Sequence, residues 1–451
     1  MLLLTAPSSH AAVALVKDIV TGAGSSSPSR FAGAGGRTFF MACDPDHGCE
    51  LWKTDGTGSG TVRVKDINPG DGDSFPDRLI GINGTLFFIA NDGTHGRELW
   101  TSDGTATGTH MVEEVAQVDY VDEPAYGPLR HVGGTVYWAV NDGQHGLELW
   151  KSDGTAGGTK MVKDINPSGD SDPSELKAVG GTMFFAAKGS DADGRELWKT
   201  DGTEAGTRLV KEINPAAGSG PYGLTNLNGT LLFGAINSHG RELWRSDGTT
   251  SGTKLLRDIG RQSRSGNPTG LTQAGDFVFF AANDGAHGYE LWRTNGLTAS
   301  GTILLRDIRA GSEGSLPTNI TNVNGTAFFT AVDATRSREL YKSDGTRAGT
   351  SSAPIRDISP GASTSLDDVL AGKYPHSLAA VGSTLFFADN EGVNGAELWK
   401  SDGTEAGTVL ARDIRSGEAG SSPSDLRNVN GTLFFTADDG THGRELWKRV
   451  P

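Results

Sequence analysis

The sequence lacks three features, and each absence excludes a class of protein. No apolar segment approaches the roughly 18 residues that a membrane-spanning helix needs, so we expect no membrane span. Lysine and arginine form no basic tract, and the formal net charge is −15, so nucleic acid is not an expected partner. Only two cysteines are present in 451 residues, too few to complete a zinc site or to staple the fold.

The two cysteines nevertheless carry one expectation. Cys43 and Cys49 flank a short loop in "MACDPDHGCELW", where thiols on paired strands can meet the spacing of a disulfide. A disulfide favours an oxidising compartment outside the cytoplasm, so we expect a secreted or cell-surface protein. The opening "MLLLTAPSSHAA" has a four-residue apolar run but no basic region. Residues 1–11 are therefore expected to be either a partial export signal or a disordered start without a targeting role.

Glycine is abundant, and its distribution indicates a β-protein built of many turns. The chain has 65 glycines and 18 prolines without a collagen period, so these residues mark turns. No segment keeps a helical period of apolar residues. The four strand-length phrases of one stretch are "DRLIGI", "TLFFIA", "RELWTS" and "THMVEEV", separated by "NG", "NDGTHG" and "DGTATG", all strong turn signals.

These phrases recur nine times, at intervals of about 48 residues. The phrase Glu-Leu-Trp or a close copy begins at Glu50, Glu98, Glu148, Glu196, Glu242, Glu290, Glu339, Glu397 and Glu445. Four sequential antiparallel strands in each repeat are one blade of a β-propeller. The Asn-Gly pairs at 83–84, 228–229, 324–325 and 430–431 suit two-residue type I′ turns. Consecutive large apolar residues in "TLFFIA" predict strands that are buried on both faces.

The two ends of the chain predict how the ring closes. The chain opens with a fourth-strand phrase, "VALVKDI", and stops at a third-strand phrase, "RELWKRVP". We therefore predict a single all-β domain over residues 12–451, a nine-bladed propeller of four-stranded antiparallel blades. Val13–Ile19 would complete its last blade and leave no open edge. An eight-bladed propeller with one extra module is the alternative.

The phrases "ELWKTDGT", "ELWKSDGT" and "ELWRSDGT" resemble the ELWxxDGT repeats of bacterial proteins, and the resemblance covers essentially the whole chain. It implies an exported or surface location. It implies no activity, because we know of none that the family shares. "RTNGLT" (293–298) and "ELYKSDGT" (339–346) depart from the pattern.

Two parts of the repeat have a structural interpretation. A symmetric hairpin would place Glu50 opposite Lys65, which predicts a cross-strand ion pair repeated in most modules. The second module has Glu113 in place of the lysine. The "SDGTxxGT" phrase is best explained as a turn in which Asp and Ser bind local backbone groups.

A third part suggests ligand binding. Six histidines recur before a Gly-x-Glu, in the loop between the second and third strands. We expect this loop and the "DINPG" loop between blades to lie on one rim and to form polar clefts between blades, suited to sugar hydroxyls or acidic groups. Histidines that only bind loop backbone are the alternative. The candidate ligand-binding residues are His47, His95, Arg97, His145, His239, Arg241, His287, His442 and Arg444.

We expect no cofactor. Clustered aspartates nevertheless leave calcium binding as an alternative, because Ca²⁺ prefers oxygen ligands. No loop contains a full EF-hand, and one equivalent loop, "NPAAGSGP", has no acid. Any such site would belong to single modules. The candidate metal ligands are Asp71, Asp73, Asp170, Asp172, Asp191 and Asp193.

Two irregular loops, 117–131 and 359–378, are where catalytic groups would have to lie, because catalysis needs one asymmetric constellation. They carry Asp122, Glu123, Asp367 and Asp368, and paired carboxylates serve glycoside hydrolysis. Neither loop matches a catalytic motif, so we expect no enzyme. The favoured function is a monomeric extracellular module that binds glycans or surface polymers multivalently. The alternatives are an adhesive scaffold that docks a surface protein and a polysaccharide hydrolase.

Overall fold

The computed structural model describes residues 13–115, 127–190, 194–261, 264–335, 337–358 and 374–450. Several expectations lie outside these ranges: the targeting segment 1–11, Asp191, Asp193 and most of the two irregular loops with their candidate carboxylates. Within the described ranges, no helix is long and apolar enough to cross a membrane, and the one helical element in them is a single 3₁₀ turn, Ala156–Gly158.

The chain forms nine antiparallel sheets in a ring, a nine-bladed β-propeller, which confirms the predicted fold. We number the blades 1 to 9 from the N-terminus, and within each blade the strands run outward from the central channel. The first, innermost strands are β2 (Ser29–Ala34), β6 (Asp77–Ile82), β10 (Arg130–Val132), β14 (Ser174–Val179), β18 (Tyr222–Leu227), β22 (Thr269–Ala274), β26 (Thr318–Val323), β29 (His376–Val381) and β33 (Ser424–Val429).

The second and third strands form the middle of each blade. The second strands are β3 (Arg37–Asp44), β7 (Thr85–Asn91), β11 (Thr135–Asn141), β15 (Thr182–Ala187), β19 (Thr230–Asn237), β23 (Phe277–Asn283), β27 (Thr326–Val332), β30 (Thr384–Asn390) and β34 (Thr432–Asp438). The third strands are β4 (Gly48–Thr54), β8 (Arg97–Ser102), β12 (Leu147–Ser152), β16 (Glu196–Thr200), β20 (Gly240–Ser246), β24 (Tyr289–Thr294), β28 (Arg338–Ser343), β31 (Ala396–Ser401) and β35 (Arg444–Arg449).

The outer strands are short. They are β5 (Val62–Lys65), β9 (His110–Glu113), β13 (Lys160–Lys163), β17 (Arg208–Lys211), β21 (Lys254–Arg257), β25 (Ile303–Arg306), β32 (Val409–Arg412) and, for blade 9, β1 (Val13–Lys17). Blade 7 has three named strands. Beyond β28 in that blade, Ser351 N donates to Lys342 O at 3.0 Å and Ile355 N donates to Leu340 O at 2.8 Å. The segment after β28 therefore covers part of the edge that an outer strand covers elsewhere.

The ring closes as the chain ends predicted. Strand β1 pairs antiparallel with β35, with Val13 opposite Arg449 and Leu15 opposite Trp447. The innermost strands β33 and β2 also contact each other across this junction. Blade 9 therefore combines the end of the described chain with its beginning, and its outer edge is covered.

The core lies between blades rather than inside one. Each hydrophobic cluster joins residues of two neighbouring blades: Phe39 and Leu51 of blade 1, for example, pack with Phe88 and Trp100 of blade 2. The second strand "TLFFIA" is buried at five consecutive positions from Leu86, because a blade is covered on both faces. The tryptophan of the repeat thus fills the space between blades.

Cations of the repeat also join neighbouring blades. Lys65, at the end of the outer strand of blade 1, donates from Nζ to Thr109 O of blade 2 at 2.9 Å and lies over the Trp100 ring at 5.5 Å. Lys53 donates from Nζ to Gly104 O of blade 2 at 2.5 Å. We call these two contacts inter-blade clasps, and each satisfies a carbonyl with a charged donor.

The predicted ion pair between Glu50 and Lys65 is wrong. An irregularity between Leu51 and Trp52 shifts the register, so that Lys65 lies opposite Leu51 and not opposite Glu50. Lys65 then reaches the next blade, while Glu50 is fully buried and binds backbone amides of its own blade. The geometric interpretation of "SDGTxxGT" agrees with the structure, since Asp103 Oδ1 accepts from Thr105 N at 2.7 Å.

The predicted Asn-Gly turns have the backbone that type I′ requires. Asn83 and Gly84 have φ of 50° and 89°, and the other three pairs are similar. Asparagine and glycine tolerate this left-handed region best, which explains why they occur at these turns.

Candidate recognition rim

The buried glutamate of the repeat builds the rim on which the histidines lie. Glu50 Oε2 accepts from Ile67 N at 2.9 Å and from Ser74 Oγ at 2.7 Å, and its Oε1 accepts from Asn68 N at 3.1 Å. Ile67, Asn68 and Ser74 belong to the loop that leads to the next blade. One carboxylate therefore holds that loop against the third strand, and equivalent bonds recur in the other blades. Burial raises the pKa of Glu50 to about 7, against the lowering effect of these donors.

The loop between the second and third strands is held by an Asp–His pair. In blade 3, Asp142 Oδ1 accepts from Gln144 N and His145 N, both at 2.9 Å, while Oδ2 lies 2.8 Å from His145 Nδ1. The pair recurs in blades 1, 2, 6 and 9, at His47, His95, His287 and His442. These side chains are 36–41 % exposed, so the rings remain partly accessible.

The sixth predicted histidine, His239, has different surroundings. Its nearest side-chain partner is Ser238, at 3.5 Å, and its backbone N–H donates to Asn237 Oδ1 at 2.9 Å. Blade 5 therefore lacks the Asp–His pair. Blades 9, 1, 2 and 3 carry the pair consecutively, so the accessible imidazoles are concentrated on one side of the ring.

A second carboxylate lies near each of four histidines. It belongs to the acidic residue that follows the outer strand, such as Asp164 after Lys163. The pKa of His145 is raised, chiefly by its hydrogen bond to Asp142 and more weakly by Asp164. Asp18, Glu114 and Asp307 act in the same way on His442, His95 and His287. We call the Asp–His pair together with this carboxylate a rim unit.

Four aspartates that follow an outer strand have an oxygen without a hydrogen-bond partner among the described residues. Within the described residues, Oδ1 of Asp18, Asp66, Asp164 and Asp413 is buried without a hydrogen-bond partner. Buried polar atoms are usually paired with protein, water or a ligand. The sequence analysis missed these aspartates as site residues, although their place after each Lys or Arg of the outer strand is regular.

The predicted arginines bind the protein itself. Arg97 NH1 donates to Phe75 O at 3.4 Å, and Arg444 NH1 donates to Ser422 O at 3.1 Å. Arg241 stacks over the Tyr222 ring at 4.9 Å. Each of them therefore braces the start of the first strand of its own blade.

The described candidates for a metal site are dispersed. Asp73 Oδ1 and Asp170 Oδ1 accept from backbone amides of the third strand at 2.7 Å, and Asp172 pairs with Lys188 and Arg195 at 3.1 Å. Asp71 is exposed. Across the described ranges, no group of three or more His, Cys, Asp or Glu side chains could hold a metal ion.

The cysteines form a disulfide that brackets one rim loop. Cys43 and Cys49 lie opposite each other on β3 and β4, and their sulfurs are bonded. The loop inside this bridge carries the Asp44–His47 pair. The disulfide therefore holds the two ends of that loop together.

Comparison with known proteins does not assign the chain to a family. No family model matches the chain, and no curated protein matches it, so the resemblance to ELWxxDGT repeat proteins stays a prediction. A solved structure of puromycin hydrolase is 14 % identical, with a TM-score of 0.37, over 81 % of this chain and 58 % of that chain. A puromycin hydrolase mutant complexed with PGG gives the same identity and coverage, with a TM-score of 0.40.

A third solved structure comes from a study of two prolyl endopeptidases. It is 12 % identical, with a TM-score of 0.43, over 72 % of this chain and 48 % of that chain. The chain thus spans 48–58 % of the length of these proteins. These neighbours correct one prediction. The matching structures are of enzymes, so the prediction that this protein is not an enzyme is withdrawn. Their low identity leaves enzyme status not established.

Proposed function

We propose that the protein is an exported recognition module that binds a neutral or amine-bearing glycan through its rim units. The observation that carries the proposal is the accessible imidazole of each rim unit, as in His442 and His145, 36 % and 40 % exposed, beside the carboxyl groups of Asp18 and Asp164. A sugar hydroxyl can exchange a hydrogen bond with the imidazole, and an amino group is attracted by the carboxylates beside it.

The charge of a rim unit favours some saccharides over others. Each unit combines two carboxylates with one histidine, as Asp142 and Asp164 combine with His145. The unit is negative whether or not the imidazole is protonated, so an acidic polymer is disfavoured. Neutral hydroxyls or amino groups suit it better, which narrows the sequence-based expectation of sugar hydroxyls or acidic groups.

Repetition compensates for weak individual contacts. Blades 9, 1, 2 and 3 present their Asp–His pairs at equivalent positions on one rim. A polymer that contacts several of them at once gains avidity without new contacts. An extracellular location fits this use, and it is supported by the disulfide and by the resemblance to exported repeat proteins.

A glycan array with the full chain, followed by calorimetry on any saccharide that binds, tests the proposal. We expect the double variant His145→Asn with Asp164→Asn to weaken binding several-fold. Asparagine suits the histidine position, because blade 8 has Asn394 there, donating to Glu391. His131→Asn is the control, since His131 lies outside the rim units and binds Gly133 O.

Two outcomes contradict the proposal. The first is an array on which no neutral or amine-bearing saccharide binds. The second is equal affinity of the double variant, the control and the wild type. Stoichiometric capture of one surface protein, unaffected by the rim variants, would instead favour the adhesive scaffold.

A further inference from the structure

Four of the turns between the first and second strands have the same sequence, Asn-Gly-Thr. Their backbones are nearly identical, with φ between 48° and 52° at the asparagine and between 84° and 89° at the glycine. All four asparagines are exposed. We call them the turn asparagines, and they are Asn83, Asn228, Asn324 and Asn430. Any difference in their chemistry in the folded protein must therefore come from groups around the turn.

In three of these turns, a second asparagine caps the glycine. It stands two residues before the turn asparagine, on the first strand, and its side-chain oxygen accepts a hydrogen bond from the glycine N–H. Asn226 Oδ1 accepts from Gly229 N at 2.9 Å. Asn322 and Asn428 make the same bond to the glycine of their own turn, at 2.8 and 3.0 Å. Each of these bonds must break before the glycine nitrogen can move or lose its proton.

The turn at Asn83 lacks this cap. Gly81 stands two residues before Asn83, and it has no side chain, so the N–H of Gly84 lacks the bond that the other three glycines make. Position 81 has no room for a side chain, because a Cβ there would collide with the carbonyl oxygen of Gly33. The close packing of blades 1 and 2 therefore excludes the cap.

An uncapped glycine after an exposed asparagine favours deamidation of the asparagine. The glycine nitrogen loses its proton to hydroxide or a buffer base and attacks Cγ of the asparagine, and the new bond closes a five-membered succinimide. The bond from Cγ to Nδ2 breaks and ammonia leaves. Water then opens the ring at either carbonyl and gives aspartate or isoaspartate, without oxidation or reduction. Glycine suits the attack because it has no Cβ to obstruct it.

We propose that Asn83 is the deamidation site of this protein and reacts faster than the three capped turn asparagines. A neutral hydrogen bond is strong enough to slow a step that must break it by about threefold to tenfold. The reaction adds one negative charge to the turn between β6 and β7, and isoaspartate also adds a methylene to its main chain. The turn lies at the end of the blade away from the rim units, because successive strands are antiparallel.

The modified turn borders the next blade. A Cβ on Gly134 would lie 3.1 Å from Asn83 Nδ2, so the side-chain amide of Asn83 lies against the corresponding turn of blade 3. Deamidation replaces that amide by a carboxylate, which has no N–H to donate. The reaction therefore changes the contact between blades 2 and 3 at this end of the ring.

Incubation of the full chain at mildly alkaline pH, followed by peptide mapping with mass spectrometry, measures the deamidation rate at each turn asparagine. We expect Asn83 to react about threefold to tenfold faster than the other three. In concentrated urea the four rates should converge, because the local sequence is the same. Equal rates in the folded protein, no reaction at Asn83, or a preference for Asn83 that persists in urea would each overturn the proposal.

The variant Asn322→Ala tests the cap itself. Asn322 is exposed, so its amide is removed without opening the core. We expect the rate at Asn324 to rise to about that of Asn83, while Asn228 and Asn430 in the same molecule keep their rates and serve as internal controls. An unchanged rate at Asn324, or an equal rise at all the turn asparagines, contradicts the role of the cap.

The variant Asn83→Gly tests the assignment of the site. Gly35 and Gly36 form the equivalent turn in blade 1, with φ of 54° and 76°, so the fold accepts a Gly-Gly pair there. We expect this variant to lose the fast phase of ammonia release that the wild type shows. A fast phase of the same size in the variant would place the reaction elsewhere. These measurements do not involve a ligand, so they are independent of whether the rim binds a glycan.

Discussion

The pKa of the repeat glutamate is shifted in opposite directions by burial and by hydrogen bonding. Burial raises the pKa of the carboxyl groups of Glu50, Glu148, Glu242, Glu290, Glu397 and Glu445, while amide and hydroxyl donors lower it. The carboxylate holds the loop that leads to the next blade, so removing the carboxylate would break those hydrogen bonds. The glutamate that begins the repeated Glu-Leu-Trp phrase therefore has a structural role in the blade, and its recurrence does not indicate a catalytic role.

These pKa shifts predict how stability depends on pH. A carboxyl group whose pKa is higher in the folded state binds its proton more tightly there, so the free energy of unfolding rises as pH falls through that pKa. For Glu50, the window runs from a pKa of about 7 in the folded state down to the ordinary glutamate value of 4.5. The raised pKa of the rim histidines acts in the same direction, since their stabilisation is lost as pH rises through the folded-state pKa.

We therefore expect the melting temperature to rise when the pH is lowered from 8 to 5, as measured by calorimetry. The turn aspartates such as Asp103, whose pKa is lowered, oppose this trend only in stronger acid. Glu50→Gln should flatten the dependence slightly, because it removes one titrating group. A melting temperature that falls steadily from pH 8 to 5 would show that the buried carboxylates must be ionised for stability.

At the scale of the strand, the junction between blades 2 and 3 differs from its neighbours. Glu113 stands at the end of the outer strand where Lys65 or Lys163 stands in adjacent blades, and Thr101 replaces the lysine of the third strand. Neither residue can form an inter-blade clasp. This junction therefore lacks two cation contacts that join blades 1 and 2.

Glu113→Lys should restore one of them. The new ammonium would reach Thr159 O and the Trp150 ring of blade 3, the equivalents of Thr109 and Trp100. A hydrogen bond from a charged donor is worth about 1.5–3 kcal/mol at most, and exposure reduces it, so we expect a gain of about 0.5–1.5 kcal/mol in the free energy of unfolding. Urea denaturation measures the gain. Glu113→Gln is the control, and equal stability of the two variants would argue against the clasp.

The sequence predicted the strands well but not what their charged residues contact. The repeat of about 48 residues, the Asn-Gly turns and the apolar second strand each reflect local geometry. They were therefore enough to predict nine four-stranded blades. The irregularity between Leu51 and Trp52 cannot be inferred from a symmetric hairpin, and it moved Lys65 from Glu50 to the next blade. The rim histidines could be picked out because they recur, whereas the aspartates after the outer strands were overlooked because nothing in the sequence shows which oxygens lack a partner.

At the scale of the whole molecule, closure depends on contacts between distant parts of the chain. Glu445 of blade 9 accepts from Ile19 N at 3.1 Å and from Ser26 Oγ at 2.5 Å. Val13 packs in the cluster between blades 8 and 9, and Val16 packs in the cluster between blades 9 and 1. Lys17 Nζ donates to Thr61 O of blade 1 at 2.8 Å. One short segment thus supplies a strand, two core residues and a clasp.

Deleting residues 1–19 should therefore weaken the ring at its seam, whereas deleting residues 1–12 leaves β1 in place and serves as the control. The longer deletion exposes the edge of β35, removes apolar contacts on both faces of blade 9 and leaves Glu445 with fewer donors. We expect a melting temperature lower by roughly 5–10 °C and aggregation through the open edge. A synthetic peptide of residues 13–20 should restore part of the loss, because it can pair with β35 again. If both deletions melt like the full chain, the opening strand contributes nothing to stability, and the seam is held by the innermost strands alone.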